Sequence, residues 1–274
     1  MKKLLQIESI KTINNPSFRT ILVLHLLLFL LVVYVFTRID ITAPGFSTKN
    51  MFMFPNVWEI YAWIASWFNL LFLGLIIIIL TGNEFSYKTG RMQIINGLSR
   101  NEFLGGKLLI IFFIAIWATL IVFLTGIITG LIFTKDISLQ LVLDKSYMIL
   151  IYFFQAFAYM SFALMVAVIF KSNALSIVMY LLYFVMIEPL TRLFFPKVIR
   201  PYFPVKVMSD LTPVPEFLSI TSNSTEAVGS NAFNLDSIGL FQKALPLHLS
   251  LIMGVFYTIL FIAISYWIIK KRDF

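Results

Sequence analysis

The sequence predicts an all-α integral membrane protein with six transmembrane helices, and three observations carry that prediction. Of 274 residues, 60% are hydrophobic and 12% are charged, with a mean hydropathy of +0.93. A soluble domain carries about 25% charged residues. Apolar runs close to or beyond ~18 residues, the length that crosses a bilayer as a helix, recur along the chain. Residues 26–33 and 75–80 (LIIIIL) are unbroken, whereas β-barrel strands alternate over ~10 residues. Zero cysteines exclude disulfides, zinc–thiolate sites and cysteine nucleophiles.

Residues 1–18 read as an interfacial helix. Leu4, Ile7, Ile10 and Ile13 recur every three residues, with Lys2, Lys3, Glu8, Lys11 and Thr12 around the rest. Such a segment lies in the headgroup plane beside membrane lipid, its lysines near anionic headgroups. The polar stretch at 11–20 does not fit a cleavable signal peptide, and Asn14-Asn15-Pro16 ends the helix, since proline cannot continue a helix interior.

Six spans follow, at about 20–36, 59–80, 108–133, 146–170, 174–188 and 248–269. His25 lies within the first, without an acidic partner nearby in sequence, and is expected to pack or hydrogen-bond. The second begins with Trp58, Tyr61, Trp63 and Trp67, read as an aromatic belt at one interface. Its Asn69 suits a helix–helix hydrogen bond. Gly126 and Gly130 form a small-xxx-small pattern that admits a close neighbour. Residues 134–145 read as a short polar loop, and Lys171-Ser172-Asn173 as a very tight turn. Glu188-Pro189 closes the fifth span, because the residue before proline is pushed out of the helical region. Residues 190–247 hold six of the ten prolines. They form a long segment, too long for a connector, in which short helices at the membrane surface are expected. Asn223-Ser-Thr matches a glycosylation sequon.

The most informative stretch is 82–107, GNEFSYKTGRMQIINGLSRNEFLGGK, a polar interruption with two acids and four bases between the second and third spans. Ser99-x-x-Glu102 fits a capping box: the Ser99 hydroxyl accepts from a free first-turn N–H, and Glu102 reaches back to the Ser99 N–H. Asn96-Gly97 is turn chemistry. The expected shape is a short helix entered by a tight turn and running on into span 3. Glu84 and Arg91, two helical turns apart, would share a face if the segment before the turn is also helical.

Six spans place both termini on one face. That face, with 82–107 and the Lys171 turn, holds 12 Lys+Arg and 4 Asp+Glu; the other face holds 9 of each. The whole net charge of +8 therefore sits on one side, which the positive-inside rule makes cytoplasmic. The long 190–247 segment is then extracytoplasmic.

Several chemistries lack their residues. There is no GxxxxGK[ST] loop; Gly105-Gly106-Lys107 lacks the upstream glycine and the following hydroxyl. HExxH and GxSxG are also missing. The predicted span interiors hold essentially no ionisable residue to bind or relay an ion, which argues against ion-driven transport and against an intramembrane hydrolase. No metal, cofactor or nucleic-acid partner is expected. A partner must supply the energy.

The chain resembles the permease subunit of an ABC-2-type ATP-binding-cassette exporter. The residues that carry the resemblance are Glu84, Thr89, Arg91, Gly97, Ser99, Arg100, Glu102, Gly106 and Lys107, within 84–91 (EFSYKTGR) and 97–107 (GLSRNEFLGGK). The interfacial helix, six spans and long outer segment extend it over the whole chain. The resemblance implies that 82–107 holds a cytoplasmic coupling helix docking on a separate ABC ATPase, which binds the ATP. It implies two permease copies, a homodimer or pseudo-dimer, with two ATPase copies in a bacterial cytoplasmic membrane. It implies no catalytic residue in this chain. The competing reading is a non-transporting membrane scaffold or anchor of a surface or secretion complex.

Overall fold

The computed structural model describes residues 2–39, 42–43, 46–215 and 245–271. Among the described residues its regular elements are helices, joined by turns, and one two-rung antiparallel pairing of Thr42–Ala43 with Phe46–Ser47. Among the same residues six helical stretches are long and apolar enough to cross a membrane, so the chain is a multi-pass membrane protein. An N-terminal helix, α1 (Lys2–Ile13), precedes span 1, α2 (Pro16–Arg38). Asn15 caps α2: its Oδ1 accepts from Ser17 N at 3.0 Å, with Pro16 in the first turn, where a missing N–H costs nothing. A one-turn α3 (Thr48–Met51) leads to span 2 (Asn56–Ser86), built of α4 (Asn56–Phe68), a π-helical turn and α5 (Gly74–Ser86). Then come α6 (Thr89–Ile95), span 3 as α7 (Arg100–Phe133), α8 (Leu139–Leu143) and span 4 as α9 (Tyr147–Phe170). Span 5 (Asn173–Leu193) comprises α10 (Asn173–Leu182), a second π-helical turn and α11 (Glu188–Leu193). A 3₁₀ turn (Arg200–Tyr202) and α12 (Pro204–Ser209) precede span 6, α13 (Leu247–Lys271).

Span 4 is the hub. It packs against α4, α5, α7, α10 and α13, and Ala156, Ala158, Ala163 and Ala167 on it are fully buried. These small side chains let neighbouring helices approach, as in membrane bundles generally. Two π-helical turns sit where polar chemistry enters the bundle. In span 2 the Gly74 N–H reaches back five residues to Asn69 O, and buried Asn69 Oδ1 accepts from Tyr152 Oη at 2.9 Å, the helix–helix hydrogen bond expected of Asn69. In span 5 the Glu188 N–H reaches Tyr183 O, again five back.

That second turn corrects the reading of Glu188-Pro189 as the end of span 5. The helix runs on to Leu193. The widened π-turn displaces the backbone register ahead of Pro189, so the ring starts a fresh helical segment at a first-turn position.

Two other expectations need correcting. Trp58 and Tyr61 do not form an interfacial belt: both are fully buried, and Trp58 Nε1 donates to Val142 O at 2.8 Å. Only Trp67 of that group is exposed. The reason lies on α7, where a Cβ at Gly126 would stand 2.7 Å from Trp58 Cζ3 and one at Gly130 2.4 Å from Phe54 Cζ. The two glycines are seats for rings from the start of span 2. Residues 134–145 are not a plain loop: Ser138 Oγ accepts from Leu141 N at 3.2 Å and caps α8. By contrast, α1 packs on the bundle through its polar face and leaves Ile10 and Ile13 outward, as an interfacial helix does. Ile10 and Ile13 are exposed while Glu8 and Thr12 are buried. A spacing of three drifts around a helix with 3.6 residues per turn, so the isoleucines mark no single stripe, whereas Glu8 and Thr12, four apart, do.

His25 is enclosed by Phe68, Phe72 and Trp117, with ring centroids 5.9, 5.9 and 5.3 Å away. Neither ring nitrogen has a hydrogen-bond partner among the described residues, so its role is packing. In the 190–247 segment, the described part holds the 3₁₀ turn and α12, whose Val207 and Met208 are buried. Asn223 and the second half of the segment lie outside the described residues.

Candidate functional site

The polar stretch between spans 2 and 3 is two helices joined by a built turn. Span 2 ends where Lys88 takes a left-handed conformation, φ +56°, after which α6 begins at Thr89. At the far end of α6, Gly97 has φ +97°. Its N–H reaches Ile94 O at 3.1 Å, and Leu98 N–H reaches Gln93 O at 3.0 Å, the paired bonds of a Schellman motif with glycine at the left-handed position. Ser99 then opens α7. Its Oγ accepts from Glu102 N at 3.2 Å, while the Glu102 carboxylate accepts from Ser99 N at 2.8 Å. The expected capping box is present, and the helix it starts runs without a break for 34 residues through span 3.

The break at Lys88 separates Glu84 and Arg91, so they share no helix face. Glu84 is buried; Arg91 is exposed and has no ion pair among the described residues. Arg100 lies at the start of α7, and its guanidinium donates to Lys270 O, joining α7 to the end of span 6. Thr89 lies exposed at the start of α6. Around it, Tyr87, Met92 and Ile95 present large apolar surfaces outward, 75%, 58% and 68% exposed.

Glu84 and Lys107 come together in a buried four-charge network. Lys107 Nζ stands 2.6 Å from Glu84 Oε1 and 3.0 Å from Glu8 Oε2. Lys11 Nζ stands 3.0 Å from Glu8 Oε1 and also contacts the Glu84 carboxylate. Glu8, Glu84 and Lys107 are at most 6% exposed. Two positive charges meet two negative ones, so no net charge is buried. Such a group is tolerated because its members are mutually paired, whereas an unpaired member costs several kcal/mol. The network binds three separate pieces of chain: α1, the end of span 2 and the start of span 3. Gly106 makes it possible, since a Cβ there would approach Glu8 Cγ to 3.0 Å.

Glu8 and Lys11 escaped the sequence reading. Their signal was an acid and a base three apart on a helix whose isoleucines define no stripe, and a glycine immediately before Lys107. Burial raises the Glu8 carboxyl, but the Lys107 and Lys11 charges outweigh it and hold Glu8 below its ordinary 4.5. Burial lowers the Lys11 ammonium, but Glu84 and Glu8 outweigh it and hold Lys11 above 10.5. The depressed Glu8 contributes stability that is full above its unfolded pKa and lost as pH falls through the folded one. The raised Lys11 contributes stability that is full below its unfolded pKa and lost as pH rises through the folded one. Docking of α1 is thus expected to be flat from about pH 5 to 10 and to weaken below 4.5 and above 10.5. Quenching of a fluorophore on an α1 cysteine, followed across pH, checks this. Loss of docking near neutrality would contradict it.

The family model described as "Protein of unknown function (DUF2705)" matches residues 45–274, and the chain belongs to that family. The matched region contains Glu84 and Lys107 and begins after Glu8 and Lys11. Comparison with curated proteins finds no match.

Proposed function

We propose that this chain is the membrane-spanning permease subunit of an ATP-driven ABC exporter of the ABC-2 type. It would couple ATP hydrolysis by a separate ATPase subunit to passage of a substrate across the bacterial cytoplasmic membrane. The observation that carries the reading is the unbroken helix from the Ser99–Glu102 capping box through span 3, clamped at its start by the Glu8–Glu84–Lys11–Lys107 network. At ~1.5 Å per residue such a helix is about 50 Å long, a lever able to carry rigid-body displacement that a flexible loop would absorb. A push on α6 or the start of α7 reaches α1 and span 2 through the same ions. The outward Tyr87, Met92 and Ile95 side chains suit an apolar groove on the ATPase, and the positive-inside rule puts this end, with both termini, in the cytoplasm. The working unit would be two permease copies and two ATPases.

The test co-expresses the chain with a candidate ABC ATPase, then measures co-purification and ATP hydrolysis in detergent. Met92→Asp with Ile95→Asp touches only exposed positions and is expected to abolish co-purification while leaving a monodisperse membrane protein. Replacement of residues 97–107 by a Gly/Ser linker is expected to uncouple hydrolysis from the permease. If no ATPase binds the unaltered chain, the scaffold reading takes its place.

A further inference from the structure

The geometry points to a binding site for one resident phospholipid acyl chain in a cleft between α1, the start of span 1 and span 3. The cleft has a volume of about 520 Å³, within the ~300–1,000 Å³ of small-molecule sites. Its walls differ in chemistry. Glu8, Ser9 and Thr12 of α1 supply its polar lining, while Leu22 of span 1 with Leu109, Phe113 and Trp117 of span 3 supply its apolar lining. The span 3 residues recur every four positions on one helix face, and eight residues at ~1.5 Å each make that wall about 12 Å deep. That depth lies within one leaflet of a ~30 Å hydrocarbon core.

What fills the cleft follows from its walls and surroundings. Water needs two to four polar partners, which the apolar wall does not offer. The cleft opens beside α1, whose Ile10 and Ile13 face outward at 61% and 56% exposure, so the medium at its mouth is apolar. A helix from a second copy is too thick: ~10 Å across and 12 Å long, it needs roughly 900 Å³. A single extended acyl chain is thin enough, and the Ser9 and Thr12 hydroxyls match the ester and glycerol oxygens at its head. The lipid then lies against the side of α1 next to span 3, with the Glu8 carboxylate, already paired to Lys11 and Lys107, on the border of its cleft. The network holds α1 at Glu8 and Lys11, and the tail supports its far end near Ile13. This inference rests on the membrane assignment of the spans and not on the exporter proposal, and its readouts use no ATPase.

The experiment reconstitutes the full chain in phosphatidylglycerol bilayers carrying a phosphatidylglycerol with a mid-chain diazirine, then extracts it with exhaustive detergent washing before photolysis. The expected result is one retained phospholipid per chain by phosphorus assay, with cross-links on Leu109, Phe113 or Trp117 and on Leu22. Ile259 of span 6, on another helix and 62% exposed, should lose its labelling on washing. Leu109→Trp combined with Leu22→Trp fills the cleft and should lower retention by about tenfold or more, whereas Ile259→Trp leaves it unchanged. The wild-type labelling map stands even if the filled variant folds poorly. Cleft labelling that washes away with that of Ile259, or cross-links from cleft residues to a second chain, overturns the assignment.

Discussion

Lys107→Met is expected to destabilise the folded chain by about 3–5 kcal/mol, the cost of breaking a buried ion pair from one side. Methionine keeps most of the stem that packs beside Phe103 but removes the ammonium lying 2.6 and 3.0 Å from two carboxylates. Glu84 and Glu8 are then left buried with Lys11 as their shared cation, and Lys11 is 29% exposed at its side chain and more hydrated. Lys11→Met should accordingly cost about 1 kcal/mol or less, as partly solvated pairs do. The decisive comparison is Glu8→Met, Glu84→Met and Lys107→Met together. Apolar replacement of a whole buried ionic group is often neutral or stabilising, so the triple variant should regain most of the loss. Thermal unfolding in detergent, followed by tryptophan emission, gives the ordering. A Lys107→Met midpoint indistinguishable from wild type would mean that the network contributes nothing, and a triple variant no better than the single one would mean that Lys107 acts by shape.

The division between what could be read in the sequence and what could not follows the range of the forces involved. The Ser99–Glu102 box and the Gly97 turn were readable because every bond in them closes within five residues. The six spans were readable because a bilayer demands length and apolarity from each segment separately. The ionic network was not, because Lys107 finds Glu8 from 99 positions away and nothing local says that the polar face of α1 turns inward. Trp58 and Tyr61 misled for a related reason: aromatic residues at the start of a span suit an interface equally well, and only the glycines of α7, nearly seventy residues on, decide that Trp58 goes inside. Pro189 misled because the π-turn that accommodates it has no local sequence signature. The proposed partner-facing role of 82–107 is of a different kind. Its exposed apolar side chains on a short rigid helix are visible in the fold, but what covers them must be found by binding.

Glu188→Ala is expected to cost about 3 kcal/mol, because two partly buried backbone N–H groups lose their acceptor, each such loss costing roughly 1–3 kcal/mol. The Glu188 carboxylate is 1% exposed and accepts from Val205 N at 2.8 Å and from Lys206 N at 2.9 Å. It thereby fastens the first turn of α12 to the end of span 5. The rest of α12 is held from other helices. Gln155 Nε2 of span 4 donates to Met208 O and Thr212 Oγ1, both at 2.8 Å, and Lys206 Nζ meets Asp210 Oδ1 at 2.6 Å. Tyr257 Oη of span 6 donates to Tyr202 O at 2.6 Å. Spans 4, 5 and 6 are thus tied through one short segment at this end of the bundle, opposite the ionic network, and Glu188 holds the tie from span 5. Glu188→Gln separates the possible causes. It preserves the volume and leaves one carbonyl acceptor, but turns the other position into an amide donor pointed at an N–H. If acceptor chemistry matters, the glutamine variant loses nearly as much stability as the alanine one, and both open the chain near residues 203–212 to limited proteolysis. If Glu188 merely fills space, glutamine behaves as wild type and the segment stays protected. That second outcome would remove the tie between spans 4, 5 and 6 from the account of how this end of the bundle moves as a unit.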